Sequence, residues 1–203
     1  LQYIRLAFAT QARKGGPVQR AGDRTISGGN PPCGIYPCKG GGPNDYVYVY
    51  TSRANPEHWK RLLKVVGREE LIGDPRYDTP EARTEREAEV DAIVGDWTKG
   101  RDKHEAMRLI GSAGIPAGAV LDTKEIADDQ TFYARGVLQI MDHPVVKGYA
   151  VPSWPVRHDG APPTVKASPL LGEHSGQVLE SWLGMSEREI EGLAQEKVIT
   201  RRK

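Results

Sequence analysis

DKHEAMRLIGSAGIPAGAVLDTKE, residues 102–125, reads as a short helix, a glycine stop, a short strand and the start of a second helix. Asp102 stands where an N-cap belongs, and Glu105 three residues on completes the pattern of a capping box. Met107, Ile110 and Ala113 recur at helical spacing, so their face is expected to be buried. Gly114 takes the left-handed conformation that ends a helix, and Pro116 cannot continue one. Residues 117–121 then form a small apolar strand, whose glycine and alanines leave room for another backbone. A helix–strand–helix unit of this size cannot cover both its faces, so the flanking segments must supply the cover.

The cover is legible on the N-terminal side. YVYVY at 46–50 has the β-branched and aromatic content of a strand, and residues 35–39 form a shorter one. GGGPND at 40–45 joins them as a hairpin connection. Asn55 is expected to cap a helix with Pro56 at its first position and Gly67 at its end. Its buried stripe is Trp59, Leu62, Leu63 and Val66. After a turn-like LIGDPRY at 71–77, Thr79 and Pro80 open the longest helix, running to about Trp97 with Val90, Ile93, Val94 and Trp97 on one face. Ahead of all this, 3–12 reads as a helix and 14–32 as a loop rich in glycine, proline and polar residues. Loops of that length inside a domain are usually functional or disordered.

On the C-terminal side, 125–135 is a weaker helical segment, and 137–142 and 149–151 read as strands. Between 152 and 169 proline replaces any helical period, the mark of an extended arm crossing a surface. Residues 175–197 read as two helices. Val178, Leu179, Trp182 and Leu183 give the first an apolar face; Ser186 and Glu189 form a capping box for the second, which buries Ile190 and Leu193. The fold class expected is α+β: a small domain with a short, mostly antiparallel sheet and packed helices, then an arm and a helical tail. The limits expected are 1–34 for the incoming helix and loop, 35–151 for the small domain, 152–169 for the arm and 170–203 for the tail.

With 203 residues, 38% of them hydrophobic, the chain suits one ordinary domain, or a small domain with an extended arm. A formal net charge of +1 gives no basic field for nucleic acid. No apolar run is long enough to span a bilayer, and the first ten residues do not make a signal peptide. Two cysteines argue against a disulfide scaffold and fit a reducing cytosol, so a cytoplasmic location is expected. The chain starts at Leu1 rather than at methionine, which suggests a piece of a longer protein.

The motifs that carry chemistry are few. Cys33 and Cys38 lack the second ligand pair a zinc site needs, and the histidines at 58, 104, 143, 158 and 174 stand singly, so no metal is expected. Gly28-Gly29-Asn30 and Gly40-Gly41-Gly42 do not follow the dinucleotide-binding pattern. The second cluster is a hairpin turn; the first is a plain surface loop or a segment that covers a site. No nucleophile elbow is present, and Asp122, Asp128 and Asp129 read as caps and solvated faces.

Several short motifs fall in one order along the chain: 35–40 IYPCKG leading into DYVYV, then Trp59, DPRY at 74–77, KHEA at 103–106, GIPAGAV at 114–120 and PLLGEH at 169–174. In that order they resemble the C-terminal half of the class III CoA-transferases, a family that holds formyl-CoA transferases, carnitine CoA-transferases and α-methylacyl-CoA racemases. The resemblance implies a cytosolic enzyme moving CoA between an acyl-CoA and a carboxylic acid, with the CoA thioester as substrate and no permanently bound cofactor. It implies an aspartate that forms covalent anhydride and thioester intermediates. It also implies a homodimer with interlocked subunits. The aspartate belongs to the N-terminal half of the family, so no catalytic residue is expected in this chain. Gly28 and Gly29 match the position of a glycine-rich loop that closes over the active site, so Gly28, Gly29 and Asn30 are the expected substrate-loop residues, although the chain continues Asn30-Pro31-Pro32 in place of further glycines and the prolines stiffen it. The racemase branch carries a glutamate where Asn55 stands, and an amide cannot act as a carboxylate, which favours transfer over racemisation. The alternatives are a racemase-like enzyme and a non-catalytic dimerisation or binding fragment.

Overall fold

The computed structural model describes residues 2–18, 30–157 and 159–202. They fall into two compact units, Leu1–Asp122 and Thr123–Lys203. The fold is α+β, with two small antiparallel sheets among the described residues.

In the first unit, helix α1 (Gln2–Lys14) precedes a three-stranded antiparallel sheet of β1 (Cys33–Pro37), β2 (Tyr46–Tyr50) and β3 (Ala117–Ala119), in the order β1-β2-β3. The register sets Tyr48 opposite both Ile35 and Gly118. Alternation along the strands sends Tyr36, Val47 and Val49 inward and leaves Ile35, Tyr48 and Tyr50 on the outer face. Against the inner face pack α2 (Glu57–Val66), α4 (Glu87–Thr98) and α5 (Lys103–Ser112). The buried residues of α2 and α4 are ones the spacing predicts, Trp59, Leu62 and Leu63 and then Val90 and Val94, with Val66, Ile93 and Trp97 partly buried. In α5 the buried hydrophobic residues are Ala106 and Ile110, while Met107 and Ala113, expected on the buried face, are partly buried. Glycine ends α2 at Gly67, where φ is 72°. Asp102 caps α5 by accepting from the backbone N–H of His104 and of Glu105 at 3.0 and 2.9 Å.

Two expectations are corrected. The long helix from Thr79 is two: α3 (Pro80–Glu85) and α4 meet at Arg86, whose φ of −117° and ψ of 33° are not helical. Thr79 does cap it, accepting from Ala82 N. Within α3, Thr84 Oγ1 donates back to the Pro80 carbonyl at 2.8 Å, a bond that bends helices. Asn55, read as a side-chain cap, is not one. Pro56 occupies the cap position with no side-chain bond, and the turn is closed by His58 N donating to the Asn55 carbonyl.

In the second unit, the segment 125–135 resolves into α6 (Thr123–Asp128) and α7 (Gln130–Ala134), divided at Asp129, which caps α7 through Thr131 N at 2.8 Å. A hairpin of β4 (Leu138–Met141) and β5 (Tyr149–Pro152) follows. The described residues of the proline-rich stretch beyond it form no helix or strand, and Gln139 holds it to β4. Its Nε2 donates to Ser153 Oγ and the Pro163 carbonyl, and its Oε1 accepts from Val165 N. Helices α8 (Ser175–Leu183) and α9 (Glu187–Gln195) close the unit. The capping box at Ser186 and Glu189 is present, and Ile190 is buried. On α8, Trp182 is 82% exposed and Leu183 70% among the described residues.

Candidate functional site

The glycine segment singled out by sequence ends at Asn30; Gly28 and Gly29 lie outside the described residues. Asn30 itself is buried, and so are Pro31 and Pro32. Pro31 and Pro32 carry no N–H, so neither offers a backbone donor. The carbonyls of this stretch need donors from elsewhere, and two residues supply them. Thr51 Oγ1 lies 2.9 Å from the carbonyls of both Asn30 and Pro32, and Thr51 N donates to the Pro32 carbonyl at 3.2 Å. Arg83 Nε donates to the Pro31 carbonyl at 2.8 Å. The Asn30 amide completes the ring: Nδ2 donates to the Thr51 carbonyl at 2.9 Å, and Oδ1 accepts from Arg83 Nη2 at 3.4 Å.

Arg83 is 2% exposed. Its Nη1 donates to the carbonyls of Tyr77 and Asp78 at 2.7 and 3.0 Å, and its guanidinium lies over the Trp59 ring, 5.3 Å from the centroid. Burial lowers its pKa, while Asp78 and Glu81 oppose that shift. The planar fork thus links the segment at 30–31 to the turn at 77–78, a geometry lysine cannot reproduce. His58, which precedes Trp59 in α2, is also buried, and its Nδ1 accepts from Ser52 N at 3.2 Å. Burial, and secondarily the charge of Arg61, holds this imidazole below its ordinary pKa. Thr51 and Ser52 follow β2 directly, so the sheet, α2 and α3 together fix this corner.

Arg83, Thr51 and His58 were not singled out by sequence. EARTEREAE at 81–89 looks like a solvated charged face, and a lone histidine has no partner in its own spacing. Lys103 is similar: it is buried, and its Nζ donates to the carbonyls of Asn44 and Val120, tying the hairpin to the end of β3.

The other candidates stay apart. Cys33 lies in β1 with Sγ 3.6 Å from the Tyr48 hydroxyl; Cys38 is buried and free. Burial pushes the Cys38 thiol up, Asp102 and Asp45 push the same way, and Lys103 opposes them, so it is a packing atom rather than a thiolate nucleophile. Among the described residues no group of three or more histidine, cysteine or acidic side chains is placed to hold a metal. Gly40 and Gly41 have φ of 108° and 65°, as a hairpin turn requires, and Asp45 Oδ2 accepts from Gly42 N at 2.9 Å. A hollow of about 430 Å³ between β1 and α4 is lined by Ile35, Tyr36, Tyr48, Asp91 and Lys99, among others, with Tyr36 donating to Asp91 Oδ1 at 2.6 Å. No helix among the described residues is long and apolar enough to cross a membrane.

The sequence profile of CoA-transferase family III matches residues 1–175. A formyl-CoA:oxalate CoA-transferase of Streptomyces avermitilis is 35% identical over 185 residues, covering 91% of this chain and 44% of the relative. The enzyme of the same name from Bradyrhizobium diazoefficiens is 38% identical over 178 residues, covering 87% and 41%. The chain therefore spans about two fifths of the length of the curated relatives it matches. The crystal structure of a CAIB/BAIF family protein from Brucella suis superposes with a TM-score of 0.67 at 22% identity, over 85% of this chain and 42% of that one, a likeness of fold. With a family profile running along most of its length, this chain belongs to CoA-transferase family III.

Proposed function

We propose that this chain forms the C-terminal portion of an acyl-CoA:carboxylate CoA-transferase whose nucleophilic aspartate lies outside residues 1–203. The observation that carries the reading is the 35–38% identity to formyl-CoA:oxalate CoA-transferases over about nine tenths of the chain. In the chemistry proposed, the aspartate carboxylate attacks the acyl-CoA carbonyl, giving a mixed anhydride and CoA thiolate. The thiolate then attacks the aspartyl carbonyl, releasing the donor acid and leaving an aspartyl thioester. The acceptor carboxylate reverses both steps, so CoA changes acids and the aspartate is regenerated. Splitting the transfer replaces one difficult displacement by several easier ones.

In this reading Gly28, Gly29 and Asn30 form the substrate loop, with its downstream end fixed at Asn30. The stretch 152–169 is the arm, and 170–203 returns to the large domain of an interlocked homodimer in the cytosol. The exposed face of α8 supports that placement, since apolar side chains such as Trp182 are costly to leave in water.

The test is CoA exchange in the full polypeptide, with formyl-CoA as donor and isotopically labelled oxalate as acceptor. Label appearing in a CoA thioester supports the reading. Proton exchange at the α-carbon of a branched acyl-CoA, without any acceptor acid, would instead support the racemase alternative. Asn55 speaks against that alternative, because an amide offers no carboxylate for proton transfer.

A further inference from the structure

We propose that the free edge of β1 takes up an extended peptide segment as a further strand of the three-stranded sheet, with a basic side chain of that segment filling the hollow between β1 and α4. The inference does not depend on the transfer chemistry proposed above.

Register carries the first step. In the order β1-β2-β3, β1 has a neighbour on one side only. Just beyond its ends, Thr51 N donates to the Pro32 carbonyl at 3.2 Å and Cys38 N to the Asp45 carbonyl at 2.8 Å. Both bonds continue the register that pairs Gly34 with Val49 and Tyr36 with Val47. The even-numbered residues of β1 therefore turn N–H and C=O toward β2, and Cys33, Ile35 and Pro37 turn theirs outward. Pro37 has no N–H, and its carbonyl accepts from Thr98 Oγ1 at 2.8 Å. Cys33 and Ile35 remain, and among the described residues no strand pairs with them on that side. Their two donors and two acceptors form the row that an added antiparallel strand matches.

Two glycines carry the second step. Gly34 and Gly95 line the hollow from opposite sides, one within β1 and the other within α4. Neither lies at a positive φ. A Cβ at Gly34 would meet only the Tyr36 hydroxyl, at 4.0 Å, and a Cβ at Gly95 would meet nothing within 4 Å. Glycine inside a strand or helix is destabilising relative to alanine, and nothing in the backbone or the packing here requires it. In a strand it marks the close approach of a ligand or of another backbone. Ala88 and Ala92 share the face of α4 with Gly95, so the wall opposite β1 is also built of small side chains.

The occupant follows from the pairing. In a strand laid antiparallel on this edge, the residues opposite Cys33 and Ile35 bond to them. The residue between those two stands opposite Gly34 and points to the same face, into the space the glycines leave. That space is about 430 Å³. Its small apolar wall suits the stem of a long side chain, and Asp91 and Asp96 against the single cation Lys99 favour a positive end. A second copy of this chain fits less well. Pairing its Cys33 with Ile35 sets glycine against glycine at the centre and leaves the hollow unfilled.

The probe is the peptide acetyl-Thr-Val-Arg-Val-Thr-amide, titrated into the full polypeptide with residue-resolved amide exchange. Saturable binding is expected, with exchange slowed at Cys33 and Ile35. Methylating the backbone nitrogens of both valines removes the donors that face the edge and should weaken binding by about tenfold. Alanine in place of the arginine should weaken it by about tenfold as well. Gly95→Leu fills the hollow and should abolish the slowing; if that variant does not fold, the two altered peptides decide. Exchange at Cys33 and Ile35 unmoved by the peptide overturns the proposal, as does either altered peptide binding as well as its parent. Slow exchange at both residues before any peptide is added also overturns it. Exchange that then quickens on dilution assigns the edge to a second copy, and exchange that stays slow assigns it to the polypeptide's own remainder.

Discussion

In the unit 1–122, Val47, Val49, Leu62, Leu63, Val90, Val94 and Ile110 have no exposed surface, and the buried cation Arg83 has four neutral oxygens around it. In the unit 123–203, Ile190 is the buried hydrophobic residue among those described, while Trp154, Leu171 and Trp182 are 66, 80 and 82% exposed. The two differ in what finishes them. Sheet, α2, α4 and α5 close a core from their own residues. The hairpin β4–β5 and helices α8 and α9 are held by local devices: the Gln139 side chain, the Ser186 capping box, and Arg201 paired with Glu187 and Glu191. Such devices order a segment without burying much apolar surface, so the second unit's stability depends on what its exposed side chains meet.

The strongest way to break this contrast is truncation in the closed core. Leu63→Ala should cost about 2–5 kcal/mol, because the surrounding side chains relax only partly around the space left. Denaturant unfolding of the chain measures it, and a cost near zero would mean that the first core is not closed. Next comes Thr51→Val, which removes the hydroxyl serving the Asn30 and Pro32 carbonyls; a loss of about 1–3 kcal/mol is expected in the same assay.

A pH titration sharpens the contrast further. In the unfolded chain His58 takes up its proton near pH 6.5. In the fold its pKa is lower, through burial first and Arg61 second, and Nδ1 is already engaged by Ser52 N. The unfolded chain therefore binds more protons below that pH. Stability is full above about pH 6.5 and falls as pH drops from there, by at most about 1.4 kcal/mol per unit. His58→Gln should flatten this slope without touching the second unit. The smallest effect is expected at the other end of the molecule: Trp182→Ala should change the stability of this chain by less than about 0.5 kcal/mol. A larger loss would show that α8 has cover of its own.

Much of the first unit was legible because its signals are local. The alternation of YVYVY, the stripe Trp59-Leu62-Leu63, the cap at Asp102 and the stop at Gly67 each act within a few residues. Where the reading erred, a local signal had a nearby competitor. Asn55 lost the cap position to Pro56, and the helix from Thr79 breaks at Arg86, just after Thr84 bonds back to Pro80. Asn30 was legible only as part of a glycine loop. That it is buried, and that Arg83 and Thr51 hold it, depends on contacts across 53 and 21 positions of the chain, which no spacing encodes. The apolar face of α8 shows a different limit. Val178, Leu179 and Trp182 give the same helical pattern whether a partner surface covers them or not, and here they are half-buried to exposed.

Amide hydrogen exchange on residues 1–203 puts the contrast between the units to its most direct test. Amides of α2, α4 and α5 should exchange by orders of magnitude more slowly than those of α8 and α9, since opening the first group means opening the core. Exchange in α8 and α9 as slow as in α5 would contradict it, and with it the view that the second unit has no closed core of its own.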